Sequence, residues 1–273
     1  MQRQWWTKVL TLFVVLVMGA APAWEAGAKP LPAVVTVLHA LPNFTADVYV
    51  NGELTLSGFK PETATDPLEL PAGKYTIEIR DVGASADSKP ALEGSVELRA
   101  GENVSIIAGL TKVGDPALNV FANDVSRVPA GSTRLVVRNV ADAPPFGVRL
   151  DGKLVFKNVP NSSEATKQVD AGTYAFRTTP ASGSKIGPEE LVLEEGTAGI
   201  VYTVGSAKDG TLDLMFQTIA GLQNSPGSVL TGDGGLAASS GFPAWAAGVM
   251  AVALIGLVGS GAAIVRRRAV VRG

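Results

Sequence analysis

The sequence predicts an all-β protein: two tandem antiparallel immunoglobulin-like β-sandwich domains, with an N-terminal signal peptide and one C-terminal transmembrane helix. Three observations predict it. Apolar and polar residues alternate through short stretches bounded by turn formers, the period of a half-buried strand. The chain matches itself at an offset of about 100 residues. The two ends carry apolar runs, a short one first and a long one last. The 17 Pro and 31 Gly interrupt the remainder so often that long helices have little room.

The first element is the leader, residues 1–23. Arg3 and Lys8 flank Trp5 and Trp6, the apolar run Val9–Met18 follows, and Ala21-Pro22-Ala23 closes it. A cationic start, a short apolar core and an A-x-A site describe a secretory signal peptide, with Ala26-Gly27-Ala28 as an alternative end at 28. About ten apolar residues are too few to span a bilayer.

The next elements are the two sandwiches, residues 29–127 and 128–220. Val48-Tyr49-Val50-Asn51-Gly52-Glu53-Leu54 aligns with Val148-Arg149-Leu150-Asp151-Gly152-Lys153-Leu154, and Leu70-Pro71-Ala72-Gly73-Lys74-Tyr75 aligns with Val169-Asp170-Ala171-Gly172-Thr173-Tyr174. In Lys74–Arg80, Tyr75, Ile77 and Ile79 share one face and the polar residues share the other, so one face is core and the other is water. Asn51-Gly52 and Asp151-Gly152 predict type I′ hairpin turns. In the first domain the spacing predicts strands near 35–40, 46–51, 53–58, 66–70, 74–80, 92–99 and 103–110, with an eighth near 117–121. In the second, Leu135, Val137, Val148, Leu150, Phe176, Tyr202 and Val204 are among the residues expected to face inward. Neither domain has the Trp and Cys of an antibody core, so the architecture rests on strand count and spacing.

The last elements are a stalk, a membrane span and a tail. Residues 221–243 are rich in Gly, Ser and Ala without apolar periodicity, which describes a flexible stalk. Ala244–Val265 carries no charge and as a helix would reach about 33 Å, enough to cross a membrane. Trp245 sits at its outer edge, and the basic tail 266–273, with Arg266, Arg267, Arg268 and Arg272, places the C-terminus in the cytoplasm. Gly256, Gly259, Ser260 and Ala263 would line one helix face, of the kind that lets two helices associate.

Charge and composition exclude several functions. The net charge is −2, but residues 24–242 hold 17 basic against 25 acidic groups, so the exported part is acidic and no nucleic-acid surface is expected. With no Cys and one His, thiol nucleophiles, disulfides, iron–sulfur centres and ordinary zinc sites are excluded or nearly so.

His39-Ala40-Leu41-Pro42-Asn43, then Ala46-Asp47-Val48-Tyr49-Val50-Asn51-Gly52, then Leu70-Pro71-Ala72-Gly73-Lys74-Tyr75, resembles the bacterial family known as domain of unknown function 4397. That family's pattern is similar to H-A-S-P-D-A-P, V-D-V-Y-V-D-G and L-P-A-G-x-Y. The second domain departs further, with Asn139 for the His, Asp170 for the Pro and Arg149 for the Tyr. The resemblance implies extracytoplasmic β-sandwich domains, often carried by surface proteins, and supplies no catalytic residue.

Candidates for chemistry are few. His39 is the only imidazole, and because Asn139 replaces it in the second domain its expected role is a local hydrogen bond at a strand end. Glu189-Glu190, Glu194-Glu195 and Asp81 with Asp87 lack the dense spacing of a calcium loop and are expected to be solvated. Tyr49 is the one aromatic whose phase opposes the core, and no nucleophile elbow, P-loop or dinucleotide fingerprint occurs. Asn43-Phe44-Thr45, Asn103-Val104-Ser105 and Asn161-Ser162-Ser163 match the glycosylation acceptor pattern by chance in a chain whose lack of Cys looks bacterial. No catalytic, cofactor-binding or metal-ligating residue is therefore assigned, and no cofactor is expected. The expected function is a non-enzymatic bacterial cell-surface protein, single-pass in the cell membrane, that displays two domains for adhesion, envelope organisation or protein-partner binding. The alternative is an extracytoplasmic module for a glycan or small ligand, and an envelope hydrolase is the remaining option.

Overall fold

The structure, a computed structural model, describes residues 30–223 apart from 86, 181–185 and 188. The expected leader, the span 244–265 with its Gly256 stripe, the basic tail and most of the stalk lie outside the described residues. Among the described residues every regular element is a strand, and no helix is long and apolar enough to cross a membrane.

Along the chain the strands are β1 (Ala33–His39), β2 (Ala46–Val50), β3 (Glu53–Phe59), β4 (Thr63–Ala64), β5 (Leu68–Leu70), β6 (Gly73–Asp81), β7 (Leu92–Leu98), β8 (Asn103–Leu110) and β9 (Pro116–Ala122). They continue as β10 (Ser132–Asn139), β11 (Phe146–Leu150), β12 (Lys153–Val159), β13 (Ser163–Asp170), β14 (Gly172–Pro180), β15 (Glu189–Leu193), β16 (Ala198–Val204) and β17 (Asp213–Ile219). In the first unit one sheet runs β4-β1-β8-β9, with β5 also on β1, and the other runs β3-β2-β6-β7. The second unit repeats this order, as β13-β10-β16-β17 and β12-β11-β14-β15. The hairpins turn where the sequence predicts, with positive φ at both Asn51 and Gly52 and at both Asp151 and Gly152.

Each unit buries a core between its two sheets. In the first, Val35, Val48, Ile77, Val96 and Ile106 meet; in the second, Leu135, Val148, Phe176, Leu193 and Val201. A third apolar layer lies between the units. Leu38, Ala40 and Ile107 from the β1/β8 sheet pack on Val136, Val140, Ile200, Tyr202, Val204 and Met215 from the β10/β16 sheet. The two sandwiches are stacked sheet against sheet, in four layers.

Three expectations are corrected. The sheets are not wholly antiparallel: β1 pairs parallel with β8, and β10 with β16. The chain leaves each opening strand for the other sheet and returns to lay a later strand beside it in the same direction. Strands one, four, seven and eight therefore share a sheet, with β4 and β5 counted together, whereas an immunoglobulin domain groups its first, second, fourth and fifth strands. Second, Tyr202 and Val204 do not face the core of their own sandwich; Val201 does, and they fill the layer between the units. The run Ile200-Val201-Tyr202-Thr203-Val204 offers burial-compatible side chains on both phases, and all of β16 is buried, so no phase of this strand meets water. Third, the stalk does not begin at 221. Leu222 is buried against Val128 and Ala198, and its backbone exchanges hydrogen bonds with Val128 and Gly196, so the folded unit reaches at least Gln223.

Candidate functional site

The most elaborate polar constellation is buried where the sandwiches meet, and sequence reasoning did not find it. Arg138 on β10 is 1 % exposed. Its Nε donates to Glu164 Oε2 at 2.9 Å, its Nη1 to the Tyr202 hydroxyl at 2.9 Å and its Nη2 to Asn123 Oδ1 at 2.8 Å. The guanidinium also lies 4.5 Å from the centre of the Phe121 ring. The Tyr202 hydroxyl donates onward to Gln217 Oε1 at 2.6 Å, and Ser105 Oγ donates to the same oxygen at 3.0 Å. Asn123 Nδ2 donates to Asn103 Oδ1 at 2.7 Å. The network thus joins β8 and the segment after β9 to β10, β13, β16 and β17. Burial raises the Tyr202 pKa most, with the nearby Arg138 charge working against it. The hydroxyl stays protonated and serves as a donor.

These contacts make the site a joint between the two units. Each guanidinium nitrogen has a hydrogen-bond partner, and the cation is neutralised by a carboxylate at the rim. Beside it, Leu110 N donates to Val140 O and Asn161 Nδ2 donates to Leu110 O, both at 2.8 Å, which occupies the amide of one glycosylation-like triplet. A Cβ on Gly109 would lie 2.7 Å from Val140 O, so glycine is what lets the backbones approach.

The motif residues take structural places. His39 is buried among the first core residues, with Nε2 hydrogen-bonded to Phe44 O at 2.7 Å and its ring stacked on Phe59 at 5.6 Å. Burial lowers its pKa, while the bond to the Phe44 carbonyl works the other way, so the ring is neutral. Asn139 does the corresponding work in the second unit, donating to Val159 O at 3.1 Å. Tyr75 donates to Pro71 O and Tyr174 to Asp170 O, each at 2.8 Å and each four residues back, which explains the tyrosine that closes L-P-A-G-x-Y. Asn51 Oδ1 accepts from Thr76 N as Asp151 Oδ1 accepts from Ala175 N. Residues 33–149 match the family model for a domain of unknown function, DUF4397. The match begins at the first residue of β1, covers the first unit with β10, and ends in β11. It supports the DUF4397 resemblance, and the DUF4397-like positions His39, Asn51, Gly52 and Tyr75 build the sandwich. No curated protein matches the chain.

The remaining candidates are not brought together. Tyr49, expected on a wet face, is largely covered, with the Arg80 guanidinium 5.4 Å from its ring centre. Arg80 in turn pairs with Glu78 at 2.6 Å. Neighbouring Asp47 accepts from Ser57 Oγ at 2.9 Å, Gly58 N at 2.8 Å and Gly83 N at 2.9 Å, and the backbone donors Gly83 and Gly58 chiefly lower its pKa. Glu195 Oε1 accepts from Gly131 N and the Asp81 carbonyl from Ala84 N. Glu189 and Glu190 lie along β15, and Asp87 lies in the loop before β7. Among the described residues no group of three His, Cys, Asp or Glu could hold a metal ion.

Proposed function

We propose that this chain is a non-enzymatic bacterial cell-surface protein, held by one C-terminal span with its tail in the cytoplasm. It presents two tandem sandwich domains outside the cell as a single fused body for adhesion, envelope organisation or partner binding. The observation that carries this reading is the buried layer between the units with the Arg138 network at its edge. A fixed joint of this kind suits a module whose task is to hold a binding surface in a set orientation. The sequence supports export and anchoring through its leader, its uncharged 244–265 run and its arginine tail. The test is external protease on intact cells, followed by cross-linking of the full-length chain and identification of captured envelope proteins. Surface digestion and a protein partner are expected. A chain that resists protease until the cells are lysed would refute surface display.

A further inference from the structure

Between the sheets of the first sandwich is a cavity of about 70 Å³, lined by residues that include Val48, Val50, Leu56, Leu68, Tyr75 and Ile77. It is roomy beside the roughly 10–15 Å³ that holds one water. A narrower void of about 10 Å³ shares Val37, Val48, Ile77 and Ile106 with it and continues to His39 and Phe59. Together they form a thin gap along β1. The wide end opens between β3 and β5, where Leu56, Leu68, Leu70 and Tyr75 are half-buried. The corresponding edge strand of the second unit is the unbroken β13; here Asp66-Pro67 divides it into β4 and β5.

The gap follows from side-chain size. Cross-strand registers equate Val35, Val50, Leu56, Ile77 and Val96 with Leu135, Leu150, Phe156, Phe176 and Leu191. At all five positions the second unit carries the larger side chain; within this lining Ile106 against Val201 and Leu70 against Val169 run the other way. The wall hydroxyls are engaged, Thr55 with Glu53 O and Tyr75 with Pro71 O. The inner end has His39 as its one polar lining group, fewer than the about two to four partners that hold a buried water. A dry, narrow, apolar gap with one open end fits linear hydrocarbon better than a ring or a sugar.

We propose that the wide part of the gap between the sheets of the first sandwich binds an unbranched alkyl chain, entering between β3 and β5 and ending among Val37, Val48 and Ile106, where the gap narrows. This goes beyond surface display and does not depend on it. The test uses the full chain with methyl-labelled isoleucine in a steroid-based detergent, which has no flexible alkyl tail, titrated with 1-hexanol. The Ile77 and Ile106 methyl signals are expected to shift saturably, with half-saturation in roughly the ten-millimolar range that about three buried methylenes imply, while Ile200 stays still. Hexanoate and dihexanoylphosphatidylcholine, added separately below micelle formation, distinguish a free acid from a lipid tail as the source. The double variant V50L/I77F, which introduces the second unit's side chains, is expected to lose the Ile106 shift and to melt no lower than the native chain. If it melts early, Val96→Leu makes the same comparison. Absence of a saturable shift in the native chain, or a shift retained in a folded cavity-filled variant, overturns the proposal.

Discussion

Replacing Arg138 by Ala tests whether the two sandwiches are one cooperative structure. The substitution strands Tyr202 Oη and Asn123 Oδ1 without their charged donor, at about 1 kcal/mol each because each keeps another partner. It removes a cation from 4.5 Å over Phe121, a desolvated contact of about 1–2 kcal/mol. The Glu164 pair adds little, since that carboxylate is 38 % exposed and water replaces the guanidinium. The total is about 3–4 kcal/mol, which for a unit of this size lowers Tm by roughly 6–16 °C. Differential scanning calorimetry of the full chain should show one transition for the native protein. The variant should show an earlier one that separates into two as the joint loosens. A fall under about 3 °C with a single unchanged transition would refute the reasoning, because the network would then contribute less than about 1 kcal/mol.

Three further outcomes are expected. Gly109→Ala drives a methyl into Val140 O and should cost about 1–3 kcal/mol, read as a lower urea midpoint. Asp47→Ala removes the acceptor of two backbone donors and one hydroxyl and should cost about 2–3 kcal/mol at neutral pH. Because the Asp47 pKa is lowered in the fold, its contribution is present above the ordinary carboxylate range and is lost on acidification through the folded pKa, so the native and Ala curves should converge in acid. His39 has the opposite chemistry: its folded pKa lies below 6.5, so the unfolded chain takes up the proton first and stability falls as pH drops below 6.5. His39→Asn should flatten that part of a Tm-against-pH series; an unchanged slope would place the titration elsewhere.

The strands were legible because their local signals agree. Alternation over Lys74–Arg80 and the Asn51-Gly52 and Asp151-Gly152 turns depend on near neighbours, and the observed strands follow the predicted spans within a few residues. The interface was not legible from alternation alone. Val201 and Tyr202 are both side chains that burial tolerates, and which of them faces the core is decided by the partner strands β10 and β17. Arg138 drew no expectation from the sequence because nothing nearby in the chain announces Phe121, Asn123 or Gln217. The signal available was the wholly apolar tract Ile106-Ile107-Ala108-Gly109-Leu110, which reads as a strand with no wet face. The parallel pairing of β1 with β8 is a long-range choice that no local pattern encodes.

The docking of residues 222–223 has a mechanical consequence. Leu222 O accepts from Val128 N, and Gln223 O accepts from Arg127 Nε at 3.1 Å, so the end of the described chain is clasped to the segment between the sandwiches. Tension applied from the C-terminal side therefore loads this clasp before it reaches β17, an edge strand that would otherwise be the first to peel from β16. The force enters near the junction of the two bodies. The first sandwich is carried as a passenger while its own strands stay unloaded, and the clasp is the element that would yield first under shear.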